Sequence, residues 1–148
     1  MTLSFREFIG GRPTFFPEKI LQGIDNGNEY NLHHCRFPKI HTIRADPKTR
    51  WRVGMDIHFV IKNRTPQRYQ FAPVMKVLAI QQIEIEWING TKPCVVIDGG
   101  HFYNPIVGID EGMIHLAIND GFDSLEKFFE YFRTDFTGII IHWTKGLY

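Results

Sequence analysis

The residues from Lys39 to Arg44 form the densest group of side chains in this sequence that could carry chemistry. The hydroxyl of Thr42 is a weak nucleophile at its ordinary pKa, so its attack on an acyl group needs an adjacent base. Lys39 supplies that base if burial and the charge of Arg44 lower its pKa towards neutrality. The same lysine and arginine are charge-assisted donors to phosphate oxygens. The segment therefore fits two kinds of chemistry, the binding of a phosphate-bearing ligand and the hydrolysis of an acyl group.

Strand geometry limits the hydrolytic alternative. Side chains alternate between the two faces of a regular strand, so Thr42 and Arg44 share one face while Lys39 lies on the other. The three side chains converge only if the chain bends near Pro38. If Lys39 and Thr42 instead lie on opposite faces of a straight strand, only the binding function remains.

A second group of candidate ligand-binding residues follows at Arg50, Trp51 and Arg52. The indole ring of Trp51 suits stacking on a base, and the flanking arginines suit phosphate. Tryptophans are also highly buried on average, so Trp51 fits the core equally well. Both interpretations of Trp51 stay open at this point.

The formal net charge of +1 argues against a protein that binds nucleic acid by bulk electrostatics. Charge is nevertheless segregated along the chain. The charged residues between 36 and 52 are all basic except Asp46. Those between 84 and 135 are mainly acidic, and their cations are Lys92, Lys127 and Arg133. The basic segment is either a contact surface for nucleic acid, or both segments are ordinary solvated surfaces, and both interpretations stay open.

Histidines and cysteines are the side chains of this sequence that could bind a metal ion. His33, His34 and Cys35, with His41 or His58, raise a zinc site as an alternative. Adjacent histidines diverge in an extended chain, and the sequence has no spacing typical of a closed tetrahedral site. We therefore predict no metal and no cofactor.

The sequence also favours a cytoplasmic location. Cys35 and Cys94 are too few for a disulfide framework, and the first residues lack the apolar region of a secretory signal. No run approaches the roughly 20 apolar residues of a membrane span. We predict no membrane partner, and the oligomeric state stays open.

Two helices are predicted to flank the candidate residues. Pro17 suits the first turn of a helix whose apolar stripe contains Ile20, Leu21 and Ile24. Near the end of the chain Asp123 can cap a second helix, with Glu126 three residues later. Its apolar residues recur at helical spacing, namely Leu125, Phe128, Phe129 and Phe132.

The rest of the pattern predicts strands. Alternation over residues 55–62 is typical of a half-buried strand, and Asn89-Gly90 and Asp98-Gly99 are strong hairpin turns. Ile139, Ile140 and Ile141 predict a strand that is buried on both faces. The expected fold is α+β, a single domain over residues 1–148 forming a small, partly closed mixed β-barrel with two short helices.

The order of these features resembles one family. Lys39-x-x-Thr42-x-Arg44 after an N-terminal helix, followed by Gly54 at the opening of a strand, is similar to the signature of ASCH domains in the PUA-like superfamily. The resemblance extends upstream to residues 15–21 and downstream to residues 120–125. It therefore covers most of the chain.

The resemblance implies a PUA-like barrel and a ligand that is RNA, a nucleoside or a nucleotide. It implies a stand-alone bacterial or phage protein, with a binding site at Lys39, Thr42 and Arg44 closed by the loop at Asp120. One bacterial branch of the family removes the acyl group from N4-acetylcytidine, and its catalytic residues correspond here to Lys39, Thr42 and Asp120. Two departures are an aspartate where the family has a glutamate and an insertion over residues 25–38. Binding is the leading hypothesis, the amidohydrolase is the alternative, and a protein-interaction role stays open.

Overall fold

A computed structural model of the chain describes residues 1–25, 37–106, 108 and 110–148. The predictions that concern His33, His34, Cys35 and Arg36 fall outside these residues. The fold is α+β, as predicted. Its described strands are β1 (Thr2–Phe5), β2 (Phe8–Ile9), β3 (Arg12–Pro13), β4 (His41–Arg44), β5 (Asp56–Ile61), β6 (Tyr69–Gln70), β7 (Met75–Lys76), β8 (Ala79–Ile88), β9 (Lys92–Ile97), β10 (Gly100–Tyr103) and β11 (Phe136–His142). Its described helices are α1 (Phe16–Ile24), α2 (Glu111–Asn119) and α3 (Leu125–Tyr131).

The larger sheet is antiparallel, in the order β10-β9-β8-β11-β4. Both predicted turns are present, because Asn89-Gly90 and Asp98-Gly99 all have the positive φ angles that tight hairpins need. β11 is paired on both sides, and Ile139, Ile140 and Ile141 are buried, as predicted for a strand covered on both faces. β4 and β10 are the two edge strands of this sheet.

The smaller sheet contains β1, β5, β6 and β7, with β1 parallel to β5, and β2 and β3 form a separate two-stranded ribbon. The described strands do not close into one barrel. The segment that connects β7 of the smaller sheet to β8 of the larger sheet is held on β11 by the Leu78 amide, which donates to the His142 carbonyl at 2.8 Å. The two main sheets are joined by Arg44, which donates to the Ser4 carbonyl at 2.9 Å.

Two apolar clusters lie on opposite sides of β11. One packs α1 and the smaller sheet against Ile139 and Ile141. The other packs α2 and α3 against Ile140 and includes Phe128 and Phe132. The phenylalanines predicted for the late helix therefore do pack against the sheet.

The helices differ from the sequence prediction in two ways. Three are described rather than two, since α2 was missed. Its buried residues Met113, Leu116 and Ala117 do lie at helical spacing, but the half-buried Ile114 and Ile118 widen the apolar face, so the stripe is poorly defined in the sequence. α3 is capped by Ser124 and not by Asp123, because the Ser124 backbone is extended and its hydroxyl accepts from the Lys127 amide at 3.3 Å. In the ranges that the structure describes, no helix has the length and apolarity to cross a membrane.

Gly23 brings α1 against the segment that leads into β4. A Cβ at this position would lie 2.5 Å from the Lys39 carbonyl oxygen and 3.2 Å from the Ile40 side chain. The Lys39 amide donates to the Lys19 carbonyl at 2.9 Å, which fixes the close approach. Glycine is required at position 23 because any side chain would collide with the Lys39 carbonyl oxygen, and not because of an unusual φ angle.

We expect Gly23→Ala to lower the free energy of unfolding by about 2 kcal/mol, because the added methyl group has no room. In an unobstructed helix the same change would be stabilising. Urea unfolding of this variant and of Gln22→Ala, one residue away on α1, measures the difference. A Gly23→Ala chain as stable as the wild type would mean that the Lys39 segment does not pack on α1.

Candidate functional site

Lys39 lies before β4 and not within it. Its amide donates to α1 at the Lys19 carbonyl, and the amide of Ile40 donates to the carbonyl of Asn119 at the end of α2, at 3.0 Å. The segment is thus held between two helices, and β4 begins only at His41. Strand alternation therefore does not govern the direction of the Lys39 side chain.

Lys39 and Asp120 form a buried ion pair. The Lys39 Nζ atom is 2.6 Å from Asp120 Oδ1 and also donates to the Asp120 carbonyl oxygen. Asp120 Oδ1 accepts in addition from the Ile43 amide at 3.1 Å, on the edge strand β4. The carboxylate therefore joins the end of α2 to both the lysine and the sheet edge.

Burial dominates the electrostatics of this pair. The Lys39 and Asp120 side chains are 2% and 6% exposed. Burial lowers the pKa of Lys39 to about 8, although the Asp120 carboxylate opposes the shift. Burial likewise raises the pKa of Asp120, against the opposing effect of Lys39. For each group burial is thus the largest influence on the pKa, and the charge of the partner opposes it.

Thr42 and Arg44 lie on the same side of the sheet as Lys39. They pair in register with Ile141 and Ile139, which belong to the cluster containing Phe5. The Arg44 guanidinium is 5.1 Å from the Phe5 ring centre, and Lys39 Nζ is 6.0 Å from it. Lys39, Arg44 and Asp120 therefore lie close together, and Thr42, which is 3% exposed, lies on the same face of the sheet by its register with Ile141.

Phe16 and Gly121 cover the buried pair. Lys39 Nζ is 5.0 Å from the Phe16 ring centre. A Cβ on Gly121 would lie 2.9 Å from the Phe16 ring and 3.0 Å from Lys39 Cδ, and Gly121 also has a φ of +93°. Because these groups are in close contact, the ion pair does not open to solvent.

An open cleft lies on the outer side of this cover. Its volume is about 640 Å³, and it is bounded by the β2–β3 ribbon, α1 and α3. Its lining combines cationic, acidic and aromatic side chains. The cations are Arg12, Lys19, Lys127 and Arg133, the acids are Asp123 and Glu130, and the rings are Phe16, Phe122 and Tyr131.

The two acids of the cleft each bind one of its cations. Lys19 Nζ is 2.7 Å from Asp123 Oδ1, and Lys127 Nζ is 2.6 Å from Glu130 Oε2. Arg12 and Arg133 take no part in an ion pair among the described residues. The cleft therefore carries an excess of positive charge.

The remaining predicted ligand-binding residues lie elsewhere. Arg50 is exposed in the segment after β4, with its Nε atom 3.8 Å from Asp46 Oδ1. Trp51 is 9% exposed and belongs to the core cluster with Phe59 and Trp143. Of the two interpretations of Trp51, the structure favours the core residue, and its ring is not presented for stacking.

Sequence reasoning missed the cations of the open cleft. Lys127 and Arg133 stand out as the rare cations of an acidic stretch, and Arg12 follows the Gly10-Gly11 turn. These were the available signals. Nothing in the local pattern indicates that residues near both ends of the chain line one cavity.

A second polar cluster is buried on the other face of β4 and β11. The His41 and His142 rings are 5.4 Å apart, and the Tyr148 hydroxyl is 3.3 Å from His41 Nδ1. Burial lowers the pKa of His142 to about 4 and holds that of His41 well below its usual range. Over the described ranges, no three side chains of the metal-ligating types are grouped to hold an ion.

Comparisons of the chain with protein-family models, with curated proteins and with solved structures found no match. Its function is therefore inferred from the geometry of the site.

We expect Asp120→Asn to lower the free energy of unfolding at pH 7 by about 3 kcal/mol, because it leaves the Lys39 ammonium buried without a carboxylate. Adding Lys39→Met should recover part of this loss, and urea unfolding of both single variants and the double variant measures the coupling. If Asp120→Asn is as stable as the wild type, the Lys39–Asp120 ion pair does not stabilise the fold.

Acid should destabilise the protein through the buried histidines. The folded-state pKa of His142 lies below its unfolded value of 6.5, so the unfolded chain takes up the proton first as the pH falls from 6.5 to about 4. The expected loss is up to about 3 kcal/mol. Asp120 acts in the opposite sense, because its raised pKa makes the folded chain take up a proton first.

Unfolding curves between pH 7 and pH 4 for the wild type and His142→Gln therefore isolate the histidine contribution. The exposed His101→Gln is the matched control. If all three chains lose the same free energy of unfolding between pH 7 and pH 4, His142 is not a source of the acid destabilisation.

Proposed function

We propose that this chain binds RNA and seats a nucleotide of a single strand in the open cleft. The observation that carries the proposal is the combination of four cations and three aromatic rings around one cavity of about 640 Å³. Proteins that bind single-stranded RNA pair cations for the phosphates with ring faces on which bases stack. The volume lies within the usual range for small-ligand sites.

Charge behind the cleft supports the same ligand. Lys39 and Arg44 lie near Asp120, and Lys19 is almost fully buried at the cleft wall. Among these buried groups the cations outnumber the single carboxylate of Asp120. An excess of positive charge with little water around it attracts an anion more strongly than an exposed patch does.

The proposal includes membership of the ASCH branch of the PUA-like proteins. The resemblance requires the early motif and the start of the late helix to meet, and the contact between Lys39 and Asp120 supports this. A partly closed barrel is supported by Arg44, which bridges the edge strands β4 and β1. A cytoplasmic bacterial or phage protein belongs to the same proposal.

Hydrolysis of an N-acyl group on a pyrimidine nucleoside is the second candidate. In its favour, burial lowers the pKa of Lys39 to about 8, so a neutral amine is accessible near pH 7, on the same side of the sheet as Thr42. Against it, Lys39 and Thr42 are 2% and 3% exposed beneath Phe16 and Gly121. A substrate would have to displace this cover, so binding is the function that the geometry favours.

We expect a single-stranded RNA of about eight nucleotides to bind with a log K that falls against log salt at a slope of about −3, if the four cations contact four phosphates. Arg133→Ala should weaken binding and reduce the slope by about 0.7, because one phosphate contact is lost. Fluorescence anisotropy at several salt concentrations measures both values.

Arg50→Ala is the matched control, since Arg50 is exposed but does not line the cleft. If it weakens binding as much as Arg133→Ala does, RNA follows the segment after β4 and not the cleft. A binding constant independent of salt would rule out phosphate contacts. Release of acetate from N4-acetylcytidine, lost in Thr42→Ala, would favour the hydrolase instead.

A further inference from the structure

Lys19 is a buried cation whose carboxylate partner is exposed. The Lys19 side chain is 3% exposed, whereas that of Asp123 is 80% exposed. Lys19 Nζ donates to the Gly121 carbonyl and to Asp123 Oδ1, both at 2.7 Å. Both members of this pair line the cleft. The anionic side of the ion pair therefore faces the space that a ligand would enter.

This asymmetry makes Asp123 a replaceable partner. A buried ammonium needs an anion or several acceptors, because leaving it unpaired carries a large desolvation cost. The exposed Asp123 carboxylate is fully hydrated once it leaves Lys19. Its replacement by another anion therefore costs the carboxylate little free energy. Phosphate carries more charge and more acceptor oxygens than a carboxylate, which favours the exchange.

Among the residues that the structure describes, the Asp123 carboxylate is hydrogen-bonded to Lys19 alone and does not cap a helix. α3 is capped by the Ser124 hydroxyl, so the start of the helix does not depend on the Asp123 carboxylate. The Gly121 carbonyl remains on Lys19 when Asp123 moves away. Lys19 therefore keeps one acceptor during an exchange.

The other ion pair of the cleft lacks this property. Lys127 and Glu130 are 40% and 64% exposed, so both are already hydrated. An exposed pair of this kind contributes little and loses little when it opens. Replacing the carboxylate by another anion therefore matters more at the buried Lys19 than at the exposed Lys127.

We propose that a phosphate group of the ligand takes the place of Asp123 on Lys19, so that Asp123 is a resident anion that competes with the ligand and weakens its binding. The identity of the ligand as RNA rests on the proposed function above. The anion site itself does not, because it follows from the Lys19–Asp123 pair alone.

Asp123→Asn is the direct test, with inorganic phosphate as the probe. Removing the competing charge should tighten phosphate binding about tenfold, measured by titration calorimetry in a phosphate-free buffer. Phosphate should also raise the Tm of this variant more than that of the wild type, because it replaces the missing anion. If the Asn amide oxygen still accepts from Lys19 and masks the gain, Asp123→Ala, which has no side-chain acceptor, should show the tenfold gain instead.

Two further chains serve as controls. Asp56→Asn removes the same charge from an exposed pair with Lys76 that does not line the cleft, and should leave phosphate binding unchanged. Adding Lys19→Met to Asp123→Asn should abolish the gain, because the cation that binds the phosphate is then absent. An equal gain in Asp56→Asn, a gain that survives Lys19→Met, or no gain with either Asn or Ala at position 123 would each overturn the proposal.

RNA titrations on the same variants separate this proposal from the proposed function. If phosphate binding tightens in Asp123→Asn but neither chain binds RNA, the anion site stands and the RNA function falls. If the wild type binds RNA with the expected salt slope and Asp123→Asn binds neither phosphate nor RNA more tightly, RNA binding stands and the competition by Asp123 falls.

Discussion

The buried ion pair of Lys39 and Asp120 is the interaction on which the region around the cleft depends. One carboxylate oxygen of Asp120 accepts hydrogen bonds from the Lys39 ammonium and from the Ile43 amide. It thereby ties the end of α2 to the segment before β4 and to the edge of the larger sheet. α1 is attached to the same segment through the backbone contact between Lys19 and Lys39. Three elements that are distant in sequence are positioned by one carboxylate and one lysine.

The pair carries a desolvation cost, and its surroundings are arranged to reduce it. The Asp120 carbonyl and the Ile43 amide add hydrogen bonds to the two charges, and the Phe5 and Phe16 rings face the ammonium. The same arrangement leaves Arg44 and Lys19 as further cations nearby. Positive charge consequently accumulates behind the cleft, and the low exposure of these groups limits its screening by water.

Phe16 and Gly121 separate the buried residues Lys39 and Thr42 from the open cleft. Behind this cover lie the residues that would perform acyl transfer, and in front of it lies a cavity suited to an anionic ligand with an aromatic ring. Because Gly121 leaves no space for a side chain between Phe16 and Lys39, the cover is in tight contact with the ion pair. A ligand in the cleft would therefore sense the buried charges through space without touching Lys39 or Thr42. This separation is the physical reason to place binding ahead of hydrolysis.

The sequence by itself determined the α+β class, α1 and α3, the two hairpin turns and the buried strand β11. These features follow from local rules, such as the positive φ angles of Asn89-Gly90 and the run of three isoleucines in β11. The meeting of Lys39 with Asp120 was anticipated from a family resemblance and not from periodicity. α2 was missed because Ile114 and Ile118 widen its apolar face and blur the helical period, and the cap of α3 was placed one residue early.

Only the tertiary structure decided which polar residues line the cleft and which are buried. Lys39 and Thr42 became buried, Trp51 packed into the core, and Arg12 and Arg133 came together at the cleft from opposite ends of the chain. It also decided that Asp123 pairs with Lys19 and not with its own helix. Alternation and capping patterns reflect interactions between residues that are only a few positions apart in the sequence. Burial and charge pairing depend on elements that meet only when the chain has folded, so they leave no local signal.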